Sequence, residues 1–370
     1  MALIYNATFD SQTRILSLLD KAGNVISSCE VPSKELVDDI TKPLTFKATQ
    51  DSSTVKLTKN GSPSGDFQTS RDGGKTWSDY TLDTAIPLNT GDEVSFRAKA
   101  DRTTAQSNSD YFSFEMTGKI EAWHNVMSLY RTNDFATYDT TVDYAFYQLF
   151  SGCGSLTKAP ELPATTLAID CYAYMFASCH SLTKAPELPA TKLAGYCYES
   201  MFYRCQSLTK APVLPSTTLA RECYERMFQR CLSLTKAPEL PATTLAESCY
   251  ELMFQSCQSL AKAPELPATT LAKSCYSEMF AGCQSLTKAP ELPATRLADY
   301  CYWQMFSGCQ SLKEVRVSAT TTAESALTNW LKNVSATGDF YCDPNATIFP
   351  TGASGIPKNW TRHNIADYPN

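Results

Sequence analysis

Histidine is scarce in this 370-residue chain: His124, His180 and His363 are all there is. Nucleophile–histidine sets and imidazole metal sites therefore have almost nothing to draw on. A long apolar run is also missing. No stretch reaches the roughly eighteen residues that a membrane-spanning helix needs. Positive charge is in deficit, with 32 Lys and Arg against 38 Asp and Glu, interspersed; that excludes a nucleic-acid clamp and an anionic-membrane binder. The opening residues, MALIYNATFDSQTRILSLLD, carry Asp10 and Arg14 where a secretory leader requires an unbroken apolar core. Export by the usual route is not expected. Paired carboxylates and phosphate-cradling glycine loops are lacking too, so neither an enzyme nor a cofactor is expected. What is present is 43% hydrophobic, too apolar for disorder and long enough for two or three domains.

The chain is organised by a repeat. Leu156, Leu182, Leu208, Leu234, Leu260, Leu286 and Leu312 are spaced by 26 residues without a slip, and six copies of LTKAPELPATTLAxxCYxxMFxxCxS lie between them. A degenerate half-copy around Ala145–Cys153 precedes them and a diverged one follows Leu312, as expected of terminal units that bury one side only. On a helical wheel of about 100° per residue, Leu167, Ala168, Cys171, Tyr172, Met175, Phe176 and Cys179 fall on one half. Positions that vary between copies, such as Ile169, Asp170, Ala173 and Tyr174, fall on the other. The second half of each unit is thus expected to be a helix, packed on one side and wet on the other. Pro160 and Pro163 lack amide donors and confine regular pairing in the first half to about Ser155–Ala159. Strands stack at about 4.8 Å and helices at about 10 Å, so the stack should bend with its strands inside.

The pattern Leu-Thr-Lys-Ala-Pro-Glu-Leu-Pro, followed by Cys-Tyr-x-x-Met-Phe-x-x-Cys-x-Ser-Leu, resembles the BspA-like leucine-rich repeats in a 26-residue variant, over about residues 145–330. The resemblance implies a curved solenoid used in adhesion and recognition, with no catalytic residues to transfer. The repeats are also similar to those in virion proteins of phages infecting gut bacteria. There, small β modules often precede them, and assembly in the host cytoplasm needs no leader. The fold class expected is therefore α+β: a curved leucine-rich-repeat solenoid, with a short strand plus a helix per repeat, preceded by small all-β modules.

Before the repeats, residues 1–42 read as a β-meander with a short helical stretch, Lys34–Ile40, serving docking or oligomerisation. Residues 43–125 read as an Ig-like β-sandwich, from turn signals at Asn60-Gly61, Asp72-Gly73-Gly74 and Asn89-Thr90-Gly91-Asp92. Within it, Ser70–Trp77 resembles the Asp-box hairpin, in which the Asp accepts backbone donors and the Trp packs beneath. Residues 126–155 make a capping half-repeat, 156–311 the six repeats, and 312–370 a C-terminal cap with a helix near Ala323–Val334.

Thirteen of the 15 cysteines sit in two repeat columns. Cys171 and Cys179 would lie about 12 Å apart along a helix, and same-column neighbours about 10 Å apart on adjacent helices. Both exceed the roughly 7 Å between Cα atoms that a disulfide spans. Free, buried thiols are expected, with no metal. The Tyr172, Met175 and Phe176 columns read as core.

Fifteen of the 26 positions are identical in all six copies, mostly apolar or proline. Two polar columns also hold. Lys158, Lys184, Lys210, Lys236, Lys262 and Lys288 are unbroken; Glu161, Glu187, Glu239, Glu265 and Glu291 are interrupted only by Val213. Stacked like charges repel. The columns are either a Lys–Glu ladder that supports the turn or a periodic strip that contacts a repetitive ligand such as a polysaccharide. A second candidate surface lies on the varying half: Tyr174, Tyr196, Tyr203, Tyr300 and Trp303, with Arg204, Arg221, Arg226 and Arg230. Interleaved Glu222 and Glu225 favour a merely solvated face over a recognition surface. The expected role is a non-enzymatic virion appendage or decoration. Its N-terminal modules would attach to other virion proteins, and the solenoid would meet a polysaccharide or host-surface protein. Homo-oligomerisation is compatible with this; nucleic acid and membrane insertion are not expected. The alternative is a bacterial cell-surface adhesin.

Overall fold

In the computed structural model the described residues are 6–10, 15–19, 25–30, 39–135, 142–323 and 325–368. They divide into two compact units between Asp39 and Ile40. In the first, β1 (Asn6–Asp10), β2 (Ile15–Leu19) and β3 (Val25–Glu30) form an antiparallel meander. The expected helical stretch at Lys34–Ile40 lies largely outside the described residues.

The second unit starts with two sheets. One holds β5 (Ser53–Asn60), β8 (Ile86–Leu88) and β10 (Tyr111–Thr117) in the order β10-β5-β8. The other holds β4 (Thr45–Ala48), β6 (Phe67–Ser70), β7 (Ser78–Tyr80), β9 (Glu93–Ala98), β11 (Ile120–Trp123) and β12 (Leu156–Lys158), in the order β12-β11-β4-β9-β6-β7. Alternating residues of both sheets, among them Phe46, Phe96, Phe112 and Phe114, are buried between them. The Ser70–Trp77 hairpin is the structural turn its residues suggested. Asp72 Oδ1 accepts from the amides of Lys75 and Thr76 at 3.0 and 2.9 Å. The Thr76 hydroxyl, the largest influence, and these amides hold the Asp72 carboxyl well below its usual range. β12 belongs to the first repeat, and it pairs in parallel with β11. The sandwich sheet therefore extends into the first repeat.

Each repeat is one rung with two flanks. The extended flank follows the prolines: only the first copy keeps a strand, β12, and later copies keep single parallel bridges such as Lys210↔Lys236 and Thr218↔Thr244. The other flank departs from expectation. Among the described residues no α-helix occurs. In place of each expected helix, and of the one near Ala323–Val334, stands a run of overlapping turns. Amides of Cys171, Ala173, Met175, Ala177 and Cys179 donate three residues back, at 3.0–3.3 Å. Amides of Asp170, Tyr174, Phe176 and Ser178 donate across to the next rung, to the carbonyls of Gly195, Glu199, Met201 and Tyr203 at 2.7–3.1 Å. Alternate amides thus close turns and bind neighbours, which satisfies the backbone without a helix. Every fourth residue takes a left-handed conformation: φ is 55° at Asp170, 56° at Tyr174 and 61° at Ser178, with Tyr172 at 66° as an extra one in this first copy.

The physical reason lies in the stacking. Helices cannot hydrogen-bond laterally and keep about 10 Å between axes, whereas the extended flank advances at strand spacing. The turn run lets both flanks advance by the same step. Phe150, Phe176, Phe202, Phe228, Phe254, Phe280 and Phe306 stack nearly parallel at 5.4–5.7 Å, and Phe114 of β10 continues the column at 5.5 Å. The two flanks thus differ in spacing by far less than a strand and a helix would. The Cys, Tyr, Met and Phe columns point inward and are fully buried, each large side chain contributing about 1.5–3 kcal/mol. β13 (Glu314–Arg316), β14 (Gly338–Cys342) and β15 (Trp360–Asn364) close the far end as a parallel sheet, with Trp330 stacked on Tyr302.

Candidate binding face

On the extended flank, Leu156, Ala159, Leu162, Ala164 and Leu167 turn inward, which turns Lys158, Glu161, Pro163 and Thr165 outward. Repetition converts these positions into columns one rung apart. The structure therefore brings together the Lys158–Lys288 and Glu161–Glu291 sets along one face. Lys210 and Lys236 are direct backbone bridge partners, so two like charges occupy adjacent rungs.

A Lys–Glu ladder stands at the C-terminal end. There Lys288 meets Glu314 at 2.9 Å and Arg316 meets Glu291 at 3.3 Å, both cations lying against the Tyr368 ring. Hydrogen bonding to Glu314 and Tyr368 raises the Lys288 pKa above its ordinary value. At the other end Lys158 lies 3.0 Å from the centroid of the Trp123 ring. Between these ends the side chains of Lys184, Lys210, Lys236 and Lys262 are exposed and make no hydrogen bond or ion pair among the described residues; the same holds for Glu187, Glu239 and Glu265. A groove of about 440 Å³ crosses this central stretch, lined by Lys236, Glu239, Lys262 and Glu265 over Pro238, Pro241, Pro264 and Pro267. A second, of about 450 Å³, runs on to Arg316 and Tyr368.

A third polar column was missed in the sequence. Thr165, Thr191, Thr217, Thr243, Thr269 and Thr295 are constant in every copy and exposed; comparing the copies on this column would have found it. Backbone pairing holds it, Thr191 donating to the Thr165 carbonyl at 3.1 Å and Thr320 to that of Thr295 at 2.9 Å.

Tyr174, Tyr203, Arg226, Arg230 and Trp303 lie on the turn flank, apart from the columns. Several are engaged internally. The Tyr174 hydroxyl donates to Glu199 at 2.5 Å, and Arg226 binds Glu225 at 2.5 Å. Arg204 lies over the Tyr203 ring, Trp303 is half-buried, and Arg230 is exposed.

The fourteen cysteines from Cys153 to Cys342 are all free and buried. The spacing argument behind that expectation changes, since same-column thiols sit one rung apart rather than on separate helices. Their environment explains them instead. Cys179, Cys205, Cys231, Cys257 and Cys283 each donate to the carbonyl of the Phe 29 residues earlier, at 3.1 Å. No His, Cys, Asp and Glu cluster among the described residues could hold a metal ion, and none of their helices could cross a membrane.

Rungs of one length, an unbroken inward leucine ladder and a face of outward columns define a leucine-rich-repeat solenoid. The family model of the BspA type leucine rich repeat region matches residues 134–260 and 221–337, with six copies, and the chain belongs to that family. No curated protein and no solved structure matches the chain.

Proposed function

We propose that this is a non-enzymatic, surface-type binding protein whose extended flank holds an elongated ligand, and that it is displayed as an appendage or decoration of a phage particle. One observation carries the reading. Four stacked lysines and three glutamates stay exposed and unpaired in the centre of the face, while the turn flank varies freely between copies. Charges that support folding are paired; these repel along their column at a cost to the fold, which fits a surface kept for contact. BspA-type membership supports a surface or adhesion role. The free, buried thiols agree with assembly in a reducing cytoplasm, and the N-terminal meander would serve attachment to other virion proteins. The same membership supports a second reading, a bacterial cell-surface adhesin.

The test replaces Lys210, Lys236 and Lys262 with Ala and measures binding to host cells alongside the melting temperature. Lost binding with an unchanged or raised melting temperature is expected. A lowered melting temperature with binding intact would sink the reading. Immunolabelling of purified particles against cell envelopes separates the virion from the adhesin.

A further inference from the structure

We infer that the ligand is a linear, uncharged polysaccharide lying parallel to the stack with about one sugar ring per rung. This rests on the reading that the extended flank is a binding face. The step of the face sets the first constraint. Lys210 and Lys236 pair as parallel strands do, a spacing of about 4.8 Å, and the Phe rings behind them stack at 5.4–5.7 Å. An extended polypeptide advances about 3.3 Å per residue, so it drifts out of register with the columns after one rung; a polyproline helix, at about 3.1 Å per residue and three residues per turn, presents the same face at about every second rung and leaves the rung between unmatched. A pyranose ring is comparable in length with one step, so successive sugars meet the same groups at successive rungs.

Charge sets the second. In the central stretch every rung offers an ammonium, and every rung but one a carboxylate, three residues apart along an extended chain, with Thr beside them. A polyanion gains at the lysines and loses at the glutamates. Hydroxyl-bearing rings use both: a carboxylate accepts O–H groups and an ammonium donates to ring and hydroxyl oxygens. The groove floor is the third. Pro241 and Pro267, exposed, and Pro264, half-buried, present apolar surface between the charged columns, suited to the C–H faces of sugar rings. An α-helix of about 5.4 Å pitch would match the step but seeks a continuous apolar groove, which charged columns interrupt.

Each rung contributes weakly, so affinity must come from length. The copies also contain a natural defect: in the third, Val213 stands in the glutamate column, 66% exposed. Restoring the carboxylate should therefore strengthen binding.

The experiment titrates the full chain with cello-, manno-, xylo- and laminari-oligosaccharides of increasing length by calorimetry. In at least one series affinity should rise with each added sugar and level off at about the number of rungs. Val213→Glu should tighten binding of the long members about threefold to tenfold, the worth of one added hydrogen bond, and leave the shortest unaffected. Lys236→Ala should do the reverse. Affinity that is independent of length would overturn the one-ring-per-rung register, as would a Val213→Glu variant that folds yet binds no better. Absence of binding in all four series overturns the polysaccharide inference. In that case, host-cell binding that still depends on Lys210, Lys236 and Lys262 leaves the binding face standing and points to a protein ligand.

Discussion

At the scale of single residues, the turn flank depends on left-handed positions that few side chains favour. The last such position in each rung is Ser178, Arg204, Arg230, Ser256, Gly282 and Gly308 in successive copies, all with positive φ. A non-glycine residue there costs about 1–2 kcal/mol, which the cross-rung hydrogen bonds offset. At Gly282, φ is 75° and an added Cβ would meet Ser256 Oγ at 3.3 Å. Gly282→Ala should therefore lower stability by about 1 kcal/mol in denaturant melts, whereas Ser256→Gly should change it by less than about 0.5 kcal/mol, strain relief balancing unfolded-state entropy. Equal effects at the two sites would contradict the turn geometry. The thiols give a second test. Burial pushes Cys205 and Cys257 up to about 12 and Cys231 well above its ordinary value, so little nucleophilic thiolate exists at pH 8. A disulfide-exchange reagent should find almost no reactive thiol in the native protein and nearly all 15 cysteines after unfolding without reductant. Rapid reaction of native protein, or an oxidised unfolded chain, would refute this.

At the scale of the element, the turn run also explains what the sequence concealed. Its buried columns recur strictly at every fourth residue: Cys171, Met175 and Cys179, then Tyr172 and Phe176. On a wheel of about 100° per residue, a four-residue period drifts by only about 40° per turn. Over three turns it is indistinguishable from a helix, so the inward and outward faces were legible and the backbone was not. Gly152, Gly282 and Gly308 in one column were the available signal. The extended flank was easier, because two prolines per copy limit pairing whatever surrounds them. The Lys and Glu columns could be read from the copies, but their lack of partners could not, since that depends on how rungs face one another.

The turn flank carries a pH dependence. Glu225 is almost buried, flanked by Glu199, Glu222 and Arg226, and Tyr174 bonds Glu199. Burial, reinforced by Glu199 and Glu222 against the opposing Arg226, moves Glu225 from 4.5 up to about 8. Burial likewise raises Asp170 to about 6 and raises Glu199. These folded-state values lie above the unfolded ones. Their contribution is therefore complete below about pH 4.5, falls as only the unfolded chain ionises, and is gone above about pH 8. Calorimetry should show the melting temperature decreasing from pH 5.5 to 8.5. Glu225→Gln should flatten that slope. An unchanged slope in the variant would remove Glu225 from the account.

At the scale of the molecule, nearest-neighbour contacts decide what can be removed. The rung Leu234–Ser259 binds its neighbours through columns that recur unchanged on both: Tyr224, Tyr250 and Tyr276 stack at 5.8 and 5.9 Å, and Phe228, Phe254 and Phe280 at 5.7 Å. Excising those 26 residues places Tyr224 under Tyr276 and Phe228 under Phe280, recreating the interface that was lost. The end contacts, Phe114 on Phe150 and Trp330 on Tyr302, are untouched. Stability in such arrays is close to a sum over rungs and interfaces, so the shortened chain should melt cooperatively, a few degrees lower. Removing half a rung shifts every inward column against its neighbours and should abolish folding. The same excision takes one Lys and one Glu from the binding face, so the oligosaccharide length at which affinity levels off should fall by one sugar. A shortened protein that folds and binds with its length optimum unmoved would mean that the ligand does not follow the rungs.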